Sequence, residues 1–178
     1  GTGLSLVVYL YRSSRPAMRT MGFDRTSADR RFVVRDDTPH ALPECPQLKL
    51  LRMEGSIFFG AAPFVADHLH QLRAAVQAPD LTPDATLGGQ QRHLLVMSKS
   101  MNFIDAAGVQ LWADELVRRR ALGGDLYFHR PRAQVVEMWT RSGFLELLGR
   151  EHVFPDKRSA IAHIVRQRLD PAVCARCE

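Results

Sequence analysis

The chain has 178 residues, 46% of them hydrophobic, enough for one enclosed core and an appendage. Its formal net charge of +5 sits in one stretch: Arg12, Arg15, Arg19, Arg25, Arg30, Arg31 and Arg35 face only Asp24 and Asp29 there, and the remainder sums to zero. A neutral body behind a basic leader argues against a nucleic-acid-binding face, and three cysteines, Cys45, Cys174 and Cys177, are too few and too uneven for a disulfide framework.

At the amino end, "GTGLSLVVYLYRSSRP" is apolar from Leu4 to Tyr11 and then meets Arg12 and Arg15. A full membrane span needs about 20 apolar residues, so this run is too short, and it lacks the basic start and cleavage site of a signal peptide. It reads either as an ordinary buried element or as the cytoplasmic end of a membrane helix, with Tyr9 and Tyr11 at the interface and arginines inside. The residues alone leave both open.

From Pro16 to Pro46 the only strand-like run is "RFVV", Arg31 to Val34, and "DDTPHALPECP" is a proline-broken loop. "LKLLRM" (Leu48 to Met53) and "SIFFG" (Ser56 to Gly60) read as two strands around a turn at Glu54-Gly55. Pro63 opens a helix whose Val65, Leu69, Leu72 and Val76 form one apolar stripe ending before Pro79. A surface loop with Pro83 and Gly88-Gly89 follows.

"HLLVMS", His93 to Ser98, is apolar without alternation, as in a strand covered on both faces. After "NFIDAAGVQL", the residues Val109, Trp112, Ala113, Leu116 and Val117 make a helical stripe, with Gln110, Asp114, Glu115 and Arg118 to Arg120 facing out and Gly123-Gly124 closing the helix. "DLYFH" (Asp125 to His129) is the next strand. Val135, Val136 and Trp139 lie on a third helix breaking near Gly143, and Ile161, Ile164, Val165 and Leu169 on a fourth, capped by Asp156. Alternating strands and helices define an α/β chain with strands covered by helices. Cys174-x-x-Cys177 has neither a preceding strand nor a second cysteine pair, and reads as a tail.

At this point "EGSIFFGAA" and "FIDAAGVQLW" make the sequence, from about Arg31 to Leu169, resemble a STAS domain, the module shared by anti-sigma factor antagonists and the C-terminal cytoplasmic part of SulP-type anion permeases. The resemblance implies a mixed central sheet of about five strands flanked by four helices. "GSIFFGAA" before Pro63-Phe64 resembles the permease branch, and the Tyr-Arg-Ser-Ser-Arg-Pro leader resembles the exit from such a permease's last membrane helix, which favours the second reading of the amino end. Residues 1–30 would then be a helix end and juxtamembrane linker, 31–169 the domain, and 170–178 a flexible tail.

In antagonist relatives a hydroxyl residue in the turn after the central strand is phosphorylated. Here the turn is Asp105, Ala106, Ala107 and Gly108, and a methyl group accepts no phosphoryl group, so the two alanines cannot carry that charge switch. Asp105 remains placed as a helix cap, worth roughly 0.5–2 kcal/mol. Ser98 and Ser100 lie upstream, more in the manner of turn residues than of modification sites. There is no phosphate loop, nucleophile elbow, zinc-helix motif or dinucleotide fingerprint, and the histidines are dispersed, so neither catalysis nor a cofactor or metal is expected.

The expectation is a cytoplasmic regulatory and dimerisation domain of an inorganic anion transporter of the sulfate or bicarbonate class, at the inner face of the cell membrane. Its partners would be the permease's own membrane domain, a second copy, a cytosolic regulator, and anionic lipid met by Arg12, Arg15 and Arg19. A free-standing antagonist-like binding module is the alternative.

Overall fold

The computed structural model describes residues 1–77 and 91–175. From the amino end the elements are helix α1 (Thr2–Ser13), strands β1 (Ala17–Phe23), β2 (Phe32–Val34) and β3 (Leu48–Ile57), helix α2 (Ala62–Gln77), strand β4 (His93–Ile104), helix α3 (Ala106–Ala121), strand β5 (Leu126–His129), helices α4 (Ala133–Arg141) and α5 (Phe144–Leu148), strand β6 (Val153–Phe154), and helices α6 (Lys157–Gln167) and α7 (Pro171–Cys174). The strands form one sheet in the order β2-β1-β3-β4-β5-β6. β1 is antiparallel to both neighbours, and β3 through β6 are mutually parallel, so each parallel step returns over a helix.

Two cores flank this sheet because its central strands are apolar on both sides. Leu94, Val96, Leu126 and Phe128 face α2 to α5, whereas Leu95, Met97 and Tyr127 face α6. Phe128 anchors the larger core: Trp112 meets it edge-on at 5.2 Å between ring centroids, Trp139 lies at 4.6 Å and Phe144 at 6.3 Å. Such contacts add roughly 0.5–1.5 kcal/mol each beyond area burial.

Within the larger core lies an ionic contact between helices. Glu115 on α3 is fully buried and accepts from Arg119 Nε at 2.6 Å while pairing with Arg73 of α2. Arg119 also donates through Nη1 to the carbonyls of Gln91 (2.9 Å) and Arg92 (3.2 Å), and burial lowers its pKa to about 10.

On the opposite face, Tyr127 stacks on His152 at 4.7 Å, and its hydroxyl lies 3.3 Å from His93 Nδ1. Asp125, buried beside this column, accepts from Arg168 Nη2 at 2.7 Å and Arg120 Nε at 3.1 Å. Burial, reinforced by the charge of Arg168, holds His93 down at about 4.

The mixed sheet of six strands with seven helices among the described residues agrees with the expected layout of about five strands and four helices. Several finer expectations are corrected. Leu48–Ile57 is one strand, not two around a turn: β3 keeps β4 alongside it throughout, and the Glu54-Gly55 pair is absorbed as register shifts with Gly55 at φ +106°. β1 occupies residues assigned to the linker. Its polar Arg19 and Thr20 hid it, and it is held as an inner strand by antiparallel ladders on both sides.

Strand β4 runs to Ile104, six residues beyond its expected end. Glu115 and Arg119, expected outside, are buried because each satisfies the other's charge, while Val117, expected inside, is exposed. The expected tail begins with α7, capped by Asp170 and seated through buried Val173. Cys45 and Cys174 are free thiols; Cys177 and the loop with Pro79, Pro83 and Gly88-Gly89 lie outside the described residues. The breaks at Gly143 and the caps at Asp105 and Asp156 stand as expected.

His93 makes stability depend on pH. His93 in the fold stays neutral to about 4, whereas in the unfolded chain it protonates near 6.5, so acid draws protons to the unfolded state. Its contribution is intact above about pH 6.5 and is lost as pH falls toward 4, a decline on the order of 1–3 kcal/mol. Urea unfolding at stepped pH is expected to show that slope and a shallower one in His93→Gln.

Candidate functional site: the turn at Asp105

The turn joins β4 to α3, at the carboxyl ends of the parallel strands where open α/β sheets commonly place binding sites. Asp105 uses both carboxylate oxygens there. Oδ1 accepts from the Gly108 N–H at 3.0 Å, capping α3, and Oδ2 accepts from the Phe59 N–H at 2.9 Å. Its own N–H donates to the Ile57 carbonyl at 3.2 Å. One residue therefore fastens the start of α3 to the loop that leads from β3 into α2.

The small neighbours have separate causes. Gly108 is buried against the end of β3, and a Cβ there would lie 2.6 Å from Ile104 Cγ1 and 2.7 Å from the Ile57 carbonyl oxygen. Because one of those atoms is backbone, no side chain can be admitted without moving the strand. Ala106 is exposed and Ala107 half-buried, so their methyls face outward or sideways and are not forced by packing of that kind.

Neither alanine offers a hydroxyl. Ser98 is fully buried and donates to the His129 carbonyl at 2.8 Å, so it belongs to the sheet and not to a modifiable surface. Ser100 is half-buried on β4.

Around the turn the surface is aromatic, which the sequence reading missed. Phe59 is 81% exposed and Phe103 49%. The signal was present: adjacent phenylalanines in "SIFFG" at a strand end cannot both turn inward when successive side chains alternate. Phe64, in the first turn of α2, lies under the Arg15 guanidinium at 5.4 Å, which also sits 4.3 Å above Tyr11.

The basic leader is thus not one unit. Arg12 is exposed on α1 and Arg15 stacks where the leader meets the body. Arg19 belongs to β1, where Asp37 at 3.2 Å and Glu54 at 3.9 Å pair with it. On α1 itself every large apolar side chain from Leu4 to Tyr11 is exposed, and among the described residues no helix is long and apolar enough to cross a membrane.

A mixed sheet with helices on both sides, and a tightly capped, aromatic turn after its central strand, define an α/β domain of open mixed-sheet type. The STAS domain profile matches residues 41–160, and the chain belongs to that family. Over 179 aligned residues it is 21% identical to the probable sulfate transporter 4.2 of Arabidopsis thaliana, covering 96% of this chain and 25% of the transporter. Among solved structures, the murine solute carrier 26 member A9 anion transporter in its inward-facing state superposes with a TM-score of 0.71 at 14% identity, over 93% of this chain and 25% of that one. An anti-sigma factor antagonist from Mycobacterium paratuberculosis shares the fold at a TM-score of 0.53 and 10% identity, over 70% of this chain and 91% of that one. This chain therefore spans about a quarter of the transporters it matches. STAS domains of transporters and antagonists are generally non-enzymatic binding modules.

Three substitutions at two positions test the turn. Gly108→Ala adds a favourable helix former, yet is expected to destabilise by about 2 kcal/mol because the new methyl meets the Ile57 carbonyl. Asp105→Ala removes both acceptors and should cost about 1–2 kcal/mol, with Asp105→Asn between it and the parent. Chemical denaturation of the three variants reads these losses.

Proposed function

We propose that this chain is the cytoplasmic portion of a SulP-type secondary transporter of an inorganic anion, of the sulfate or bicarbonate class, at the inner face of the cell membrane. The observation that carries the reading is α1: a helix whose apolar side chains are uncovered all round, ending in Arg12 and Arg15 and joined to a STAS fold. Such a helix is unsuited to water and suited to the end of a membrane span, with tyrosines at the interface and arginines inside. The similarity to a probable sulfate transporter and to an anion transporter supports the substrate class.

In this reading the anion site lies in the membrane part of the transporter. The domain's task is contact: it holds two copies of the transporter together and presents the turn Asp105, Ala106, Ala107 and Gly108 to the membrane domain or to a cytosolic regulator. With alanine at both central positions the turn acts as a constitutive surface, without phosphorylation as its switch. Arg12 and Arg15 lie against anionic headgroups, each contributing about 1 kcal/mol near the surface. Arg19 contributes less, being paired with Asp37 and Glu54.

The coding sequence upstream of Gly1 tests the assignment. An uninterrupted frame encoding ten or so apolar spans is expected, and a start codon with no such spans before it would overturn the reading. At the protein level, replacing Arg12 and Arg15 with Gln is expected to weaken flotation with anionic vesicles roughly tenfold, and unchanged flotation contradicts the leader's assigned role.

A further inference from the structure

The body of the chain is neutral in sum but not in arrangement. Past the positions where β4 stops pairing with β5, and β5 with β6, stand Lys99, Arg130, Arg132, Lys157 and Arg158, all exposed. Their clustering is visible in what surrounds them. Arg132 Nε donates to the Lys99 carbonyl at 3.0 Å, and the imidazole of His129, buried between these segments, is held below its ordinary range by burial and by the charges of Lys157, Arg130 and Lys99. Asp156 is the one carboxylate in the group, and it is committed to capping α6 through the Ser159 N–H at 2.8 Å. Among the described residues no carboxylate pairs with any of the five cations, and Lys157 Nζ lies 4.7 Å over the Phe32 ring.

The sheet register shows which way this cluster faces. Ala17, just after the leader, lies opposite Glu54, and Glu54 lies opposite Ser100. The start of β1, a few residues after α1 ends, and Lys99 therefore stand within one residue of the same level along the strands. Beyond that level β3 and β4 continue to Ile57 and Ile104, carrying exposed Phe59 and Phe103 at their tip. One end of the domain thus bears an exposed apolar helix, two exposed phenylalanines and five exposed cations without a carboxylate partner.

We propose that the carboxyl end of the sheet is a membrane-facing surface, in which Lys99, Arg130, Arg132, Lys157 and Arg158 bind the headgroups of an anionic bilayer while Phe59 and Phe103 meet its interface. The proposal rests on the reading of α1 as the end of a membrane helix, and it adds a second basic element on the folded body, apart from the leader. The attraction is that of side-chain cations, since the α6 terminus is already capped. Apolar wedges beside cations suit a headgroup surface, where rings find the interface and each charge finds phosphate.

The test is flotation of the full chain with neutral phosphatidylcholine vesicles and with the same vesicles containing phosphatidylserine, at low and physiological salt. The parent is expected to bind both through α1 and to prefer the anionic vesicles, the preference shrinking with salt. A variant carrying Lys99→Gln, Arg130→Asn, Lys157→Gln and Arg158→Gln should lose about tenfold or more of that preference while binding neutral vesicles as before. Asparagine is chosen at Arg130 because φ there is +50°, a conformation asparagine tolerates. Should the fourfold variant fail to fold, Lys99→Gln and Arg158→Gln alone should each lose roughly three- to fivefold.

A fourfold variant that keeps the whole preference overturns the proposal and assigns the cluster to a protein surface. If the preference is lost only with Arg12→Gln and Arg15→Gln, the proposal also fails, but the membrane reading of α1 survives. A parent that floats with neither vesicle overturns that reading and the proposal together.

Discussion

The carboxylate of Asp105 joins two parts of the chain that are 46 residues apart, accepting one N–H from the loop after β3 and one from the first turn of α3. Both bonds require α3 to start directly over the end of β3, and the absence of a side chain at Gly108 is what allows it. From that contact the rest follows. α3 is set on the sheet with Trp112 against Phe128, α2 is led off at an angle that brings Arg73 to Glu115, and the outer surface of the turn is left to Ala106, Phe59 and Phe103. The carboxylate completes backbone hydrogen bonding in place of a helix turn and a strand neighbour, so the turn is rigid before any partner arrives.

That rigidity suits a module that works by contact. A surface that is already ordered gives up little conformational freedom on docking, so more of its apolar and electrostatic contact appears as affinity. Ala106 and Ala107 offer no hydroxyl, so phosphorylation at these two positions cannot add charge to the turn. Under the proposed function, variation in its binding comes from the partner, or from the distance at which the leader holds it from the bilayer.

The order of elements, the two glycine breaks and the caps at Asp105 and Asp156 were legible because helix termini and turns have local chemistry. Strand β1 was not, since an inner strand with Arg19 and Thr20 announces itself only through its neighbours. The division of β3 into two failed for a related reason: Glu-Gly resembles a hairpin turn until a parallel partner is known to run past it. At the site, the cap and the missing hydroxyls could be read from four letters. The bond to Phe59 could not, nor could the basic cluster, whose members are up to 59 residues apart and meet only because parallel strands end side by side.

The contact between Glu115, Arg73 and Arg119 has a consequence of a different kind. Removing the carboxylate leaves two buried cations facing each other, and removing either arginine strips a partner from a charge that water cannot reach. Three apolar side chains of matching volume could nevertheless fill the same space as well or better. Sequence change at this contact is therefore strongly epistatic: both the ionic and the apolar version are stable, and every single-step path between them crosses forms less stable than either, so lineages should keep all three residues or replace them together.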